Sequence, residues 1–470
     1  MFKLKENGTT VSTEIIAGIT TFMAMAYIIA LNPNLLTNFA VGTPLWNGVF
    51  MATCIASAIG TACMAFLANK PFAMAPGMGL NAFFAVVTAN IATLTGQGYL
   101  DSFRSALCIT LIEGVIFLIL SLFRVREKIV EAIPLCIRAA ISPAIGLMLM
   151  NIGFGSNVGV YDATGTPHYV MEDFFGSLTP SLLKNTMGDS YGTMLLTVVT
   201  IFVGIFAIVV FAARGTKGAI LFGMLLASAV YWGGSALFLG INPFASLSGS
   251  SFAPPFADMA DTTLFKLDFK GFMQMGWLAA ITTVVTFCIL DMFDTIGTLV
   301  GTAQRAGIMD KEGNMPQMKE ALVADAIGTI TGALSGTSTV TTFIESSSGV
   351  AAGGRTGLTS LTTAALFLVS IFLAPFAAVI PGAATSAVLI YVGILMLTGL
   401  KNLDFDDYTQ TVPVFIMLLA MPISGSIGHG IGLALISYTV IYLFTGRAKE
   451  ISALTFLLSA VFLLKFFIST

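Results

Sequence analysis

Apolar runs close to the ~20 residues that a helix needs to cross a bilayer recur from one end of the chain to the other. Hydropathy places seven of them at 14–33, 47–68, 80–95, 102–122, 128–151, 191–212 and 217–240. A second seven follow at 274–301, 318–335, 343–354, 357–376, 382–400, 409–424 and 426–445. The expected fold is an all-α polytopic membrane protein with 14 transmembrane segments. A last apolar stretch, 451–468, fits that count badly, either as one more crossing or as a segment lying along the interface.

Short matches between the halves suggest how the series is built. Ala17-Gly-Ile-Thr-Thr21 parallels Ala279-Ala-Ile-Thr-Thr283, an offset of 262 that sets Asn32 against Asp294. Ala56-Ser-Ala-Ile-Gly-Thr61 parallels Ala324-Asp-Ala-Ile-Gly-Thr329, and the stretch from Ala75 to Asn81 stands opposite Thr339 to Glu345. Ile133-Pro-Leu and Ile380-Pro-Gly open the fifth and twelfth segments alike. Halves with an odd number of crossings enter the membrane in opposite directions, so a seven-plus-seven inverted repeat is expected, as in secondary transporters.

The third and tenth segments are short and broken. Each is entered through a stretch unsuited to helix, PFAMAPGMG at 71–79 and GTSTVTT at 336–342. Gly and Pro interrupt the backbone ladder and Thr favours extended conformations, so the two stretches are expected to pair with each other near the midplane. Irregular backbone at that depth is tolerated only where it is buried or lines a cavity. Helices starting near Asn81 and Glu345 would then aim free N–H groups at a bound molecule, and planar polar substrates suit such a pocket.

Two acids fall in this region, Asp294 inside LAAITTVVTFCILDMFDTIGTLV (278–300) and Glu345 inside TSTVTTFIESSSGVAAG (337–353). An ionisable group at membrane depth is costly and marks a ligand, a proton or an ion-pair partner. The structural alternatives are that Asp294 caps a broken helix or holds a neighbouring Thr, that Glu345 answers the dipole of a helix start, and that Asn81 caps the third segment. Asp325 and Asp291 are expected to be internal partners that support the core, together with Asn32. Arg355 reads as an inner-face residue with Asp325 as a possible partner, Arg138 as an anchor near the inner face, and His429 as packing. His168 lies in an outer loop.

Composition and charge narrow the class. Of 470 residues 56% are hydrophobic and 10% charged, and a mean hydropathy of +0.92 excludes a soluble globular chain. The polar start MFKLKENGTTVSTE lacks a signal-peptide core, so the first helix is expected to remain. With the N-terminus cytoplasmic, Lys3, Lys5, Lys70, Arg124, Arg126, Lys128, Arg214 and Lys217 fall inside, as do Arg305, Lys311, Lys319, Arg355, Lys401, Arg447 and Lys449. Outer loops keep Lys184, Lys266 and Lys270, which supports both the orientation and the count in a cytoplasmic membrane. Cys54, Cys63, Cys108, Cys136 and Cys288 lie in apolar segments with no C-x-x-C pair, so neither a disulfide framework nor a metal site is expected. The absence of H-E-x-x-H and G-x-S-x-G, and of a His beside a Ser at membrane depth, argues against an enzyme. No cofactor or nucleic-acid partner is expected; the bilayer is the environment.

The strings GITTFMAMAYIIALNP (18–33), APGMGLNAFF (75–84), DMFDTIGTLVG (291–301), ADAIGTITGALSGTSTVTTFIESSSGV (324–350) and GGRTGLTS (353–360) closely resemble the AzgA-like purine permeases. These are a branch of the nucleobase:cation symporter-2, or nucleobase-ascorbate transporter, family. The resemblance covers nearly the whole chain. It implies a core domain (1–125 and 270–378) moving in an elevator fashion against a gate domain (126–245 and 379–470), and a homodimer through the gate. It also implies proton-coupled uptake of hypoxanthine, guanine or adenine. Asp294 stands where uracil and xanthine relatives carry a Glu, Glu345 matches the acid or amide of the tenth segment, and Asn81 matches the third. Thr298 replaces the His found one turn later in some uracil carriers, which removes a histidine relay.

A purine edge offers N–H donors and N or O acceptors. Asp294 and Glu345 are expected to accept purine N–H groups, Asn81 to donate or accept, Phe293 or Phe343 to stack, and Thr342 to line the site. Glu345 or Asp294 is expected to carry the coupled proton. The rival readings are a carrier of uracil or xanthine, and an anion transporter of the same fold.

Overall fold

The computed structural model describes residues 2–38, 40–123, 134–155, 191–245, 252–306, 308–309, 315–424 and 427–468. Its first half contains α1 (Val11–Met25), α2 (Ile28–Leu36), α3 (Pro44–Cys63), β1 (Met74–Pro76), α4 (Met78–Thr95), α5 (Tyr99–Leu122), α6 (Leu135–Phe154), α7 (Tyr191–Ala213) and α8 (Ala219–Phe238). Two short helices, α9 (Phe256–Thr262) and α10 (Phe269–Gln274), lead to the second half. There α11 (Trp277–Ala306), α12 (Met318–Ser335), β2 (Val340–Thr342), α13 (Ser346–Ala351), α14 (Gly357–Val369) and α15 (Ala374–Ala378) are followed by α16 (Gly382–Met396), α17 (Tyr408–Ser424), α18 (Ile427–Phe444) and α19 (Ala453–Ile468).

Helix occupies all fourteen of the expected apolar segments. Among the described residues eleven helices are long and apolar enough to cross a bilayer. The helix over 318–335 falls outside that group, since it carries Lys319, Glu320 and Asp325. The first span is two helices: a turn at Ala26 and Tyr27, with Ile29 N bonded to Ala26 O and Ala30 N to Tyr27 O, separates α1 from α2. The side chains of Phe293 and Arg305, and the residues Arg124, Arg126, Lys128, His168, Lys184 and Lys311, lie outside the described part.

The two irregular stretches are extended and pair antiparallel, Met74 opposite Thr342, Ala75 opposite Thr341 and Pro76 opposite Val340. Every residue of the pair is buried, so its backbone must find partners within the protein. Thr61 supplies one set, its Oγ1 accepting from Met74 N at 2.9 Å and donating to Met74 O at 3.0 Å. From the other half Thr329 Oγ1 donates to Val340 O at 3.3 Å. The helices that carry these threonines approach at glycine: a Cβ on Gly60 would lie 3.3 Å from Gly328 Cα and 3.2 Å from Val340 Cγ1. Small residues let helices meet this closely in a membrane.

Two groups of helices pack densely. In one, α12 lies against α3 and α5, and α14 against α1 and α3. In the other, α6 lies against α16 and α17, and α7 against α8 and α16. Gly146 and Gly393 meet at the α6–α16 crossing, where a Cβ on either would stand 2.5 Å from the other's carbonyl oxygen. The C-terminal helix α19 packs on α18, with Ser459 Oγ donating to Leu435 O at 2.9 Å.

Candidate functional site

A cavity of about 150 Å³ opens between these two groups. From the first group it is lined by the α1–α2 turn at Tyr27, the start of α4 (Gly77, Met78, Gly79), Asp294 and Thr298 of α11, and the run Thr342 to Glu345. From the second group come Ser142 of α6, Val392, Leu395 and Met396 of α16, and Thr398 just beyond. A volume of this scale is enough for one small aromatic molecule.

Each polar element has a structural reason for being there. Glycine suits position 77: a Cβ would stand 2.9 Å from Thr341 Cγ2 and 3.3 Å from Asp294 Oδ2, so the bare backbone lets the start of α4 lie close to that carboxylate without displacing either side chain. Asn81 N bonds Gly77 O, which leaves the N–H groups of Met78 and Gly79 in the unpaired first turn of an 18-residue helix, next to the cavity. Glu345 sits at the start of α13 but its side chain makes no capping bond; instead Tyr27 Oη donates to Glu345 Oε1 at 2.7 Å. Thr342 Oγ1 is buried without a partner among the described residues. The hydroxyl of Thr298 is spent on the backbone, donating within reach of Asp294 O at 2.7 Å and Thr295 O at 3.0 Å.

Of the residues expected from sequence, Asp294, Glu345, Thr342 and Phe343 come together here. Asn32, Asn81, Asp291 and Asp325 lie behind them. Thr295 Oγ1 is 2.8 Å from Asp291 Oδ1, 3.1 Å from each Asp325 oxygen and 2.7 Å from Thr341 Oγ1, so Asp291 and Asp325 brace β2 from beneath. Asn81 turns away from the cavity, donating to Pro76 O at 3.2 Å and accepting from Ser338 Oγ. Asn32 donates to Thr53 Oγ1 at 2.7 Å and to Thr337 Oγ1 at 2.8 Å. Arg355 donates to the carbonyls of Val350 and Gly354, each at 2.7 Å.

Two residues escaped sequence reasoning. Tyr27 gave no signal in the sequence, because its partner is 318 positions away. Glu113 carries the same signal as Asp294, an acid in an apolar run. It is fully buried and accepts from Thr339 Oγ1 at 2.8 Å. Three successive hydroxyls, Thr337, Ser338 and Thr339, are thus latched to Asn32 on α2, Asn81 on α4 and Glu113 on α5.

A family model described as "Permease family" (Xan_ur_permease) matches residues 12–431. The chain belongs to this permease family. Adenine permease AdeP of Escherichia coli is 38% identical over 466 residues, covering 99% of this chain and 95% of AdeP. Guanine/hypoxanthine permease PbuO of Bacillus subtilis is 36% identical over 472 residues, covering 100% of both. Among solved structures, the transmembrane domain of the cyanobacterial bicarbonate transporter BicA aligns with a TM-score of 0.61 at 14% identity, covering 90% of this chain and 97% of that one. At that identity it speaks for the fold alone. The relatives are transporters, not enzymes, and the chain is a multi-pass member of a nucleobase permease family.

Proposed function

We propose that the protein imports purine nucleobases, namely hypoxanthine, guanine or adenine, by proton symport across the cytoplasmic membrane, with its N-terminus cytoplasmic. The observation that carries this reading is the cavity itself, which sets two carboxylates, Asp294 and Glu345, beside the free N–H groups of α4. A purine edge needs that combination: carboxylate oxygens accept its N–H groups, main-chain N–H groups meet its carbonyl or imine acceptors, and Phe343 offers a ring face. The names of AdeP and PbuO favour purines. The likeness to BicA keeps an anion carrier as the second reading, against which stand the two acids at the cavity.

The dense packing within each helix group supports a core domain (1–125 and 270–378) that moves in an elevator fashion against a gate domain (126–245 and 379–470), with the base held at their boundary. The matched roles of Thr61 and Thr329 at the strand pair support a seven-plus-seven inverted repeat with 14 crossings. Asp294 or Glu345 carries the coupled proton, and two copies associate through the gate domain. Uptake of radiolabelled hypoxanthine, guanine, adenine, uracil and xanthine into proteoliposomes, with and without an inward proton gradient, tests this reading. Purine accumulation that depends on the gradient is expected; gradient-insensitive uptake, or uptake of bicarbonate in its place, would overturn it.

A further inference from the structure

The two walls of the cavity differ in kind. The core wall carries both carboxylates and the free N–H groups of α4, whereas the gate wall is Val392, Leu395 and Met396 with two hydroxyls, Ser142 and Thr398. Thr398 spends its hydroxyl on its own segment, donating to Leu395 O at 3.0 Å. Ser142 does not. A serine inside a helix commonly returns its hydroxyl to a carbonyl one turn back, yet Ser142 Oγ has no hydrogen-bond partner among the described residues. It stands half-buried on the cavity wall.

The surrounding backbone holds it there. Pro143 follows within α6, is buried, and has no N–H to return to Ala139 O. The short helical turn Leu397–Asn402 seats on this part of α6 through Gly399, where a Cβ would stand 2.8 Å from Ala139 O and 3.1 Å from the Pro143 ring. The residue preceding each partner of that contact, Ser142 on one side and Thr398 on the other, reaches the cavity. Proline and glycine thus fix the wall, and the serine brings to it a hydroxyl not committed to the protein.

We propose that Ser142 is a specificity-determining residue of the gate wall, its hydroxyl bonding the edge of the base turned away from Asp294 and Glu345. This deepens the purine reading and rests on it. Carboxylates only accept, so the two acids select for N–H groups. The far edge of a purine always includes an acceptor: a bare nitrogen on the five-membered ring, or a ring nitrogen or carbonyl on the six-membered ring. Facing Val392, Leu395 and Met396 alone, that acceptor would be desolvated without a partner. A hydroxyl, which donates or accepts, meets it and discriminates a purine from a ring of the same shape with carbon at that position.

The test is displacement of radiolabelled hypoxanthine from the purified full-length protein, wild type and Ser142→Ala. The competitors are hypoxanthine, its 3-deaza, 7-deaza and 9-deaza analogues, and unsubstituted purine, which lacks the carbonyl. Ser142→Ala is expected to weaken hypoxanthine by about threefold to tenfold, the scale of one neutral hydrogen bond. For the analogue that lacks the atom met by the hydroxyl, wild type and variant should bind equally, because the contact is already gone. Ser142→Cys, of similar size with a weak donor, reads the same cycle if Ser142→Ala does not fold. A serine that only packs would weaken hypoxanthine and every analogue by one common factor. That outcome, or unchanged hypoxanthine affinity in the variant, overturns the proposal. Failure of the wild type to bind any purine would instead overturn the purine reading.

Discussion

Glu14 is an acid buried for a reason other than ligand binding, and its removal has a calculable cost. It lies fully buried in the first turn of α1, with its carboxylate on the N-terminus of α14. Oε1 accepts from Arg355 N at 2.9 Å; Oε2 accepts from Thr356 N at 3.2 Å, Thr356 Oγ1 at 2.9 Å, Thr359 N at 3.2 Å and Thr359 Oγ1 at 2.6 Å. Glu14→Gln keeps the size but turns one acceptor into an NH2 group that faces donors, and removes the negative charge from a helix start. A favourable buried charge at a helix terminus is worth up to about 2 kcal/mol, and a buried donor left unpaired costs about 1–3 kcal/mol. The sum for Glu14→Gln is about 3 kcal/mol, which over the unfolding entropy of a 470-residue chain lowers the midpoint by about 3 °C. Thermal unfolding of the detergent-purified protein, read by loss of the monodisperse elution peak, measures it. Glu6→Gln is the control, since the Lys3–Glu6 pair is exposed and should leave the midpoint unchanged. A Glu14→Gln midpoint equal to that of wild type would refute the reasoning.

Gly146→Ala should cost about 1–3 kcal/mol by forcing a methyl group into the Gly393 carbonyl and parting α6 from α16, whereas Gly233→Ala, which meets nothing within 4 Å, should be neutral or mildly stabilising in the same thermal assay. At the N-terminal end of α17, bonds from Thr409 and Gln410, with Arg447 behind them, hold the Asp407 carboxyl below the usual carboxylate range. Arg447 likewise lowers Glu450. Both folded values lie below the unfolded ones, so the stabilisation is complete above about pH 4–5 and fades as pH falls through the depressed values. Thermal midpoints of wild type and Arg447→Gln should therefore differ at pH 7 and converge toward pH 3; a difference that grows on acidification contradicts the assignment.

The strand pair was legible in the sequence because Pro71, Pro76 and the Thr-rich 336–342 stretch exclude helix on local grounds. Its register was not, because Thr61 and Thr329 hold it from helices distant in sequence. Asp294 and Glu345 stood out because a charge in an apolar run is anomalous wherever the run lies. Glu113 broke the same rule and went unread. Asn81 was correctly set near a helix start, but the direction of its amide depends on Ser338 and Pro76 and so could not be deduced from spacing. Span limits behaved the same way. The limits 318–335 match α12, bounded by left-handed backbone at Gln317 and Gly336, while of the expected fifth span 128–133 lie outside the described residues and α6 covers Leu135–Phe154.

We propose that Asp294 and Glu345 form the purine site as a pair on the core side of the cavity. Initial-rate uptake of labelled purine by Asp294→Asn and Glu345→Gln proteoliposomes tests it most directly, with the thermal midpoint of each variant shown to be within a few degrees of wild type. Each substitution is expected to lower uptake by about 100-fold, the scale of losing a buried charge-assisted contact. Wild-type rates in both variants would contradict it.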